Sequence, residues 1–303
     1  MPRESPPVFH VGTASWTDPS LIASGAFYPP EMRTAEDRLR FYAEQFDTVE
    51  VDATYYALLA ERTAALWVAR TPKDFVFHVK AFSLLTTHPA ETKRLPKVIK
   101  QLLSPEEAAK PRLTRPSQPV RELAFQMFAA SLSPLRRAGR LGMLVFQFPP
   151  WFTATRGNAR VIEECRRRLP DDRLAIEFRH ASWLADERSE RTFDFLRDLG
   201  CSYVIVDEPQ IGNAVPPLCA VTAPDAYVRF HGRNEENWRK KGISAAERYK
   251  YLYSERELGE WAGRLRGLKG ARTVHAIFNN CYANFGVMNA TTMKQLLGRG
   301  ERG

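Results

Sequence analysis

Eight short runs rich in β-branched, aromatic and aliphatic residues recur along the chain, with helically patterned segments between most of them. The runs are HVGTASW (10–16), TVEVDATYY (48–56), FVFHVKAF (75–82), GMLVFQF (142–148), RLAIEF (173–178), SYVIVDE (202–208), AYVRFHG (226–232) and TVHAIFN (273–279). Apolar residues recur at helical spacing in the intervals: Leu39, Tyr42 and Phe46 in one, Val161, Ile162, Cys165 and Leu169 in another, Leu258, Trp261 and Leu265 in a third. Strand and helix alternating in this way predict an α/β protein, and eight repeats predict a (β/α)8 TIM barrel, with a doubly wound open sheet as the competitor. No GxGxxG turn follows the first strand, so a dinucleotide-binding sheet lacks its usual support. The 303 residues are read as one barrel domain, and 44% hydrophobic content supplies a core of that size.

A barrel also accounts for an odd pattern in the fifth run. In AIEFRH, Ile176 and Phe178 fall on one face and Glu177 and Arg179 on the other. The apolar face suits the surrounding helices, which leaves the charged face toward the barrel axis. The same parity sends Glu50, Asp52, His78, Lys80, Gln147, Asp207, Arg229 and His231 inward, mostly at the C-terminal ends of their strands, where barrel enzymes build their sites. Charges inside a barrel either compensate one another or face water, because desolvation costs several kcal/mol per ion. A salt-bridged core that fixes register is one reading of the ring. Shifted acid–base groups in a pocket are the other.

Between the third and fourth strands, residues 83–141 exceed a simple helical crossover. A Pro-rich insertion, about 83–119, is expected over the barrel mouth, with the crossover helix following at about 120–138. Its cations Lys93, Arg94, Lys97, Lys100, Lys110, Arg112 and Arg115 form either a solvated loop or a basic lip that guides an anion. The formal charge of +9 favours an anionic partner only weakly. No apolar run approaches the roughly 18 residues of a membrane span, and no signal core opens the chain, so a cytoplasmic protein is expected. Cys165, Cys201, Cys219 and Cys281 lack metal-ligand or disulfide spacing and read as reduced cysteines.

Within the ring, Glu177 and Asp207 are the candidate acid–base carboxylates and His231 the proton shuttle. Arg179, Arg229 and Lys80 would clamp an anion. His78, Glu177, Asp207 and His231 are acceptable metal ligands, but three cations nearby oppose a metal ion, so no metal and no cofactor is expected. The segment YVRFHGRNEENWRKKG (227–242) interleaves Arg229, His231, Arg233, Arg239, Lys240 and Lys241 with Tyr227 and Trp238. Barrel phosphate sites use this region, and aromatic residues among basic ones also suit stacked bases.

The ordered motifs VGTASW, FDTVEVDATYY, FHVKAFSLLTTH, LVFQFPPWF, IEFRHASW, VDEP, YVRFHGR, EWA and FNNxxxNxGxxNA resemble the YecE-like family, domain of unknown function 72, over about Val11 to Leu297. The resemblance implies a TIM barrel of unestablished activity. Family motif positions are matched at Glu50, Lys80, His88, Gln147, Glu177, Arg179, His180, Trp183, Asp207, Arg229, His231, Gly232, Arg233, Asn279, Asn280 and Asn289. The match loosens at Ala57-Leu58-Leu59, where the family carries a Pro-containing segment, and within CYANFGV (281–287). The combined expectation is a pocket for a small anionic or phosphorylated ligand. Its binding groups would be Glu50, His78, Lys80, Gln147, Arg179, Arg229, Arg233, Trp238, Asn279 and Asn280. Nucleic-acid binding is the alternative, by fold analogy with endonuclease IV, and carbohydrate processing by paired carboxylates is the third reading.

Overall fold

The computed structural model describes residues 6–185 and 187–298. Its strands are β1 (Val8–Thr13), β2 (Thr48–Val51), β3 (Val76–Lys80), β4 (Ala90–Glu91), β5 (Arg112–Leu113), β6 (Leu141–Gln147), β7 (Leu174–Glu177), β8 (Ser202–Asp207), β9 (Asp225–Phe230) and β10 (Thr273–Phe278). All but β4 and β5 form one parallel sheet in the order β1-β10-β9-β8-β7-β6-β3-β2. The sheet closes on itself where Ala14 bridges Glu50 and the Ser15 N–H donates to the Glu50 carbonyl at 2.8 Å. Closure depends on Gly12, because a Cβ there would lie 2.2 Å from the Thr48 carbonyl oxygen.

Two apolar layers follow from the strand period of two. Val49, Val51, Phe77, Val79, Phe146, Phe148, Ile176, Phe178, Val228 and Phe230 are buried, most of them in one core with helix residues such as Leu39, Tyr42, Ile162, Leu258 and Trp261. A smaller cluster of Ala14, Met143, Val145, Ala175, Val204, Val206, Tyr227 and Ile277 fills the barrel. The expected parity therefore holds for β2, β3, β6, β7 and β9, and fails for β8. Val204 and Val206 pair in register with Tyr227 and Arg229 and point inward, so Asp207 points outward. An Asp-Glu pair at the strand end satisfies either parity on paper, and only the register against β9 decides between them.

The long helices follow local signals. Thr34 and Asp37 form a capping box that opens Ala35–Gln45, and Ser254 and Glu257 do the same for Glu255–Arg266. One crossover departs from the repeat: residues 208–224, between β8 and β9, form no helix. Pro209, Pro216, Pro217 and Pro224 remove donors there and restrict the backbone. Between β3 and β6 the chain folds as an antiparallel β4–β5 pair, short helices Lys97–Gln101 and Pro105–Ala108, and then the expected crossover as Gln118–Ser131 followed by Ser133–Arg137. Glu107 ties this segment down, accepting from the backbone N–H of Ser104 at 3.0 Å and of Ser117 at 2.7 Å. Among the described residues, no helix is long and apolar enough to cross a membrane.

Candidate functional site

The inward charges form one bonded network at the C-terminal end of the barrel. Arg229, at the end of β9, is completely buried. Its guanidinium donates to Glu177 Oε2 at 2.5 Å, Gln147 Oε1 at 2.9 Å and Glu50 Oε1 at 2.6 Å. The Tyr227 hydroxyl donates to the other Glu50 oxygen at 2.9 Å. Glu177 also accepts from Arg179 at 3.0 Å and meets His231 Nε2 at 3.0 Å. Asn279 Nδ2 donates to His231 Nδ1 at 2.9 Å, which places the ring proton on Nε2, pointing at Glu177. Arg179 continues outward to Glu208 at 2.8 Å, and its guanidinium stacks 5.2 Å over the Trp238 ring.

These contacts set the protonation states. Burial alone would raise the Glu177 pKa, but Arg229, His231 and Arg179 overcome it and hold the carboxyl well below its ordinary value. Burial lowers His231 to about 3 against the pull of Glu177, so the imidazole is neutral at physiological pH. Lys80, at the end of β3, is lowered to about 8 by burial and then by Arg229, with Glu50, Glu177 and Asp52 opposing. Burial raises the carboxyls of Asp52 and Glu208 against the cations near each.

The sequence-predicted residues divide into three groups. Glu50, Gln147, Glu177, Arg179, Arg229, His231 and Asn279 share the network, and Lys80 and Trp238 border it. Asp207 and Arg233 belong to a separate cluster: Arg233 Nε lies 3.0 Å from Asp207 and its Nη1 3.0 Å from Glu257. No hydrogen bond or ion pair joins Asp207 to Glu177 among the described residues. Asp207 lies apart from Glu177 because β8 has the opposite parity to that expected, and Glu208 is the carboxylate that reaches Arg179. His78 points inward but sits in the layer below the mouth, two residues before Lys80. There its Nδ1 accepts from the Met143 N–H at 2.9 Å, and its ring meets those of Tyr227 and His275. Asn280 anchors backbone instead, donating to the Tyr251 carbonyl at 2.8 Å and to Asn289 Oδ1 at 2.9 Å.

Two cavities are relevant, the first of them bordered by the network residues Gln147 and Arg179. One, of about 340 Å³, is lined by Gln147, Arg179, Glu208, Trp238, Arg239, Arg248 and Tyr249, among others. The second, about 400 Å³, lies between Tyr55, Tyr56, His88, Trp151, Arg94 and Arg112. It is lined in part by the segment between β3 and β6. Sequence reasoning missed Glu208, Tyr249, Tyr55 and Trp151. VDEP offered a signal for Glu208, whereas nothing in the local pattern marks the aromatic residues as mouth-lining. Non-glycine residues with positive φ, Ser15 (76°), Thr87 (62°) and Ala283 (47°), all lie in loops after barrel strands, so backbone strain gathers at this end. His, Cys, Asp and Glu side chains form no cluster able to hold a metal among the described residues.

Comparison with known proteins agrees with this architecture. The profile described as "Protein of unknown function DUF72" matches residues 10–303. The UPF0759 protein YunF of Bacillus subtilis is 32% identical over 96% of this chain and 95% of its own length. A DUF72 family protein from Thermotoga maritima superposes with a TM-score of 0.76 at 31% identity, covering 96% of this chain and 99% of that one. Another from Enterococcus faecalis gives 0.77 at 26% identity, covering 96% of each. A methyltransferase from Methanosarcina mazei, at 9% identity and a TM-score of 0.51, shares the fold alone. The chain belongs to the DUF72 family.

Proposed function

We propose that the barrel mouth binds a small anionic ligand, with a phosphorylated compound the best fit. One observation carries the reading: the 340 Å³ cavity is lined by three guanidiniums, Arg179, Arg239 and Arg248, against one carboxylate, Glu208. Among the described residues, Arg239 and Arg248 are held by main-chain carbonyls only, Arg239 by Ile211 at 3.0 Å and Arg248 by Trp238 and, at 2.9 Å, by Lys240. Carbonyls orient a guanidinium without neutralising it, so the cavity keeps an excess of about two positive charges. Guanidinium forks match phosphate oxygens, and Trp238 and Tyr249 offer ring faces beside them. The volume is within the range of small-molecule sites, about 300–1,000 Å³. Arg229 is not a clamp in this reading, since both its terminal nitrogens are engaged by Glu50, Gln147 and Glu177 while its buried Nε has no partner among the described residues; it fixes the floor on which the cavity stands. Glu177 is likewise held as an anion by three donors, which suits an electrostatic role better than proton transfer.

Calorimetric titration with inorganic phosphate and pyrophosphate tests the proposal. Binding that saturates, and that weakens at least tenfold in Arg248→Ala with the melting temperature retained, is the expected result. Equal binding by wild type and variant would sink it.

A second reading, nucleic-acid binding, draws on a different observation. Lys93, Lys100, Lys110 and Arg112 surround a recess of about 620 Å³ between the short helices and β5, with Glu91 the lone acidic lining residue. Affinity for duplex DNA should then fall with salt at roughly −0.9 per phosphate contacted, and charge reversal at Arg112 and Arg115 should flatten the slope. Paired-carboxylate sugar chemistry draws no support from the geometry, because Glu177 and Asp207 are engaged by different arginines in different clusters.

A further inference from the structure

Three cations point into the barrel mouth from the ends of its strands, and two are held in ion pairs. Arg229 holds Glu50, Gln147 and Glu177, and Arg179 holds Glu177 and Glu208. Lys80 is different. Its Nζ makes no ion pair or hydrogen bond among the described residues and lies 4.8 Å from the centre of the Tyr55 ring. The ring face favours the ammonium by only about 0.5–2 kcal/mol, a weaker hold on the proton than a carboxylate partner would give. The stem rises from the last residue of β3, next to a main chain fixed by the Thr54 hydroxyl, which donates to the Lys80 carbonyl at 2.6 Å. The position is therefore rigid while the amine itself is free. A lysine kept only for charge balance would sit against a carboxylate, and Glu50, Asp52 and Glu177 are all close enough for Lys80 to feel their charge.

We propose that Lys80 is a nucleophile that forms an imine with an aldehyde or ketone group on an anionic substrate bound at the mouth. The proposal rests on the anion-binding reading above for substrate capture. In the chemistry, the Nζ lone pair attacks the carbonyl carbon, and the C=O π pair moves to oxygen, which takes up a proton. The resulting carbinolamine loses its hydroxyl as water while nitrogen, giving up its remaining proton, forms the C=N bond. The balance is amine plus carbonyl giving imine plus one water, with no oxidant or reductant required. Asp52, on the loop after β2, is the group to carry the proton from nitrogen to the departing oxygen. It feels the charge of Lys80, and burial raises its carboxyl pKa. The surroundings also favour the free amine: burial first, then Arg229, bring Lys80 to about 8 against the pull of Glu50, Glu177 and Asp52. Relative to an ordinary lysine, the neutral fraction at neutral pH rises on the order of a hundredfold.

The test is reductive trapping on the full chain. The protein is incubated with glyoxylate, an anionic aldehyde, and cyanoborohydride near neutral pH, and adducts are mapped by peptide mass spectrometry. Lys80 should be modified at least tenfold faster than exposed lysines such as Lys93 and Lys110, and inorganic phosphate should slow that modification alone. Lys80→Arg keeps the charge and should lose the fast adduct. If that variant fails to fold, the wild-type map decides by itself. Modification of exposed lysines with Lys80 left untouched would overturn the proposal. Calorimetric phosphate binding on unmodified protein separates the two ideas: binding without trapping leaves the anion site standing and removes the nucleophile. Trapping at Lys80 without phosphate binding retains the nucleophile and removes the anion cavity.

Discussion

Replacing Glu177 by alanine isolates what the central network contributes. The carboxylate is fully buried and meets Arg229, Arg179 and His231. Removing one partner from a buried ion network costs about 3–5 kcal/mol, because the remaining charge is left without compensation. The lower end applies here, since Arg229 keeps Glu50 and Arg179 keeps Glu208. At about 2 °C per kcal/mol for a chain of this size, the melting temperature should fall by about 6 °C at neutral pH. Asp207→Ala offers an internal contrast. Its partner Arg233 is 35% exposed and retains Glu257, so the loss should stay under about 2 kcal/mol. The pH dependence has a definite sign. The folded pKa of Glu177 lies below its unfolded value, so the stabilisation is complete above that unfolded value, about 4.3, and is lost as pH falls toward the depressed one. The gap between wild type and Glu177→Ala should therefore narrow below about pH 4. Thermal melts by circular dichroism at several pH values provide the measurement. A variant within about 1 °C of wild type at neutral pH, or one less perturbed than Asp207→Ala, would show that the network is open and hydrated and would refute the argument.

The histidines add a second loss of stability in acid, one that sets in at higher pH than that of Glu177. His231 and His275 are lowered to about 3 and His88 to about 4, in each case first by burial. Only the unfolded chain then takes up protons on these rings as pH falls below about 6.5, so stability should decline from there. Both ring nitrogens of His275 lack a hydrogen-bond partner among the described residues, so His275→Phe should flatten the dependence of melting temperature on pH between about 4 and 6. An unchanged slope would mean that His275 is protonated in the folded state. At Gly12, alanine would press its Cβ into the Thr48 carbonyl, so Gly12→Ala should cost more than about 2 kcal/mol and loosen closure between β1 and β2, seen as faster amide exchange at Ser15. Wild-type exchange at that amide would argue that the strands shift apart without penalty.

Strand count, strand order of appearance and the inward turn of Glu50, Lys80, Glu177, Arg179 and Arg229 could be read from the chain, because period-two patterning is local and the apolar half of each strand is unmistakable. The same local rule failed where the sequence was symmetric to it. Val204, Val206, Asp207 and Glu208 satisfy both parities, and the register against Tyr227 and Arg229 had to choose. Depth along the axis was equally hidden: His78 and Lys80 share a face, yet one lies in the barrel interior and the other reaches the mouth. The surroundings of Arg229 were hidden for a related reason, since a sequence displays a cation but not the acceptors that engage it, Glu50, Gln147 and Glu177. Which cations stay available, Lys80 over Tyr55 and Arg239 and Arg248 on main-chain carbonyls, depends on loops that approach from distant parts of the chain. Alternation along a strand is fixed by neighbouring residues and so belongs to the sequence; charge compensation is a sum over several strands and exists only once the barrel has closed.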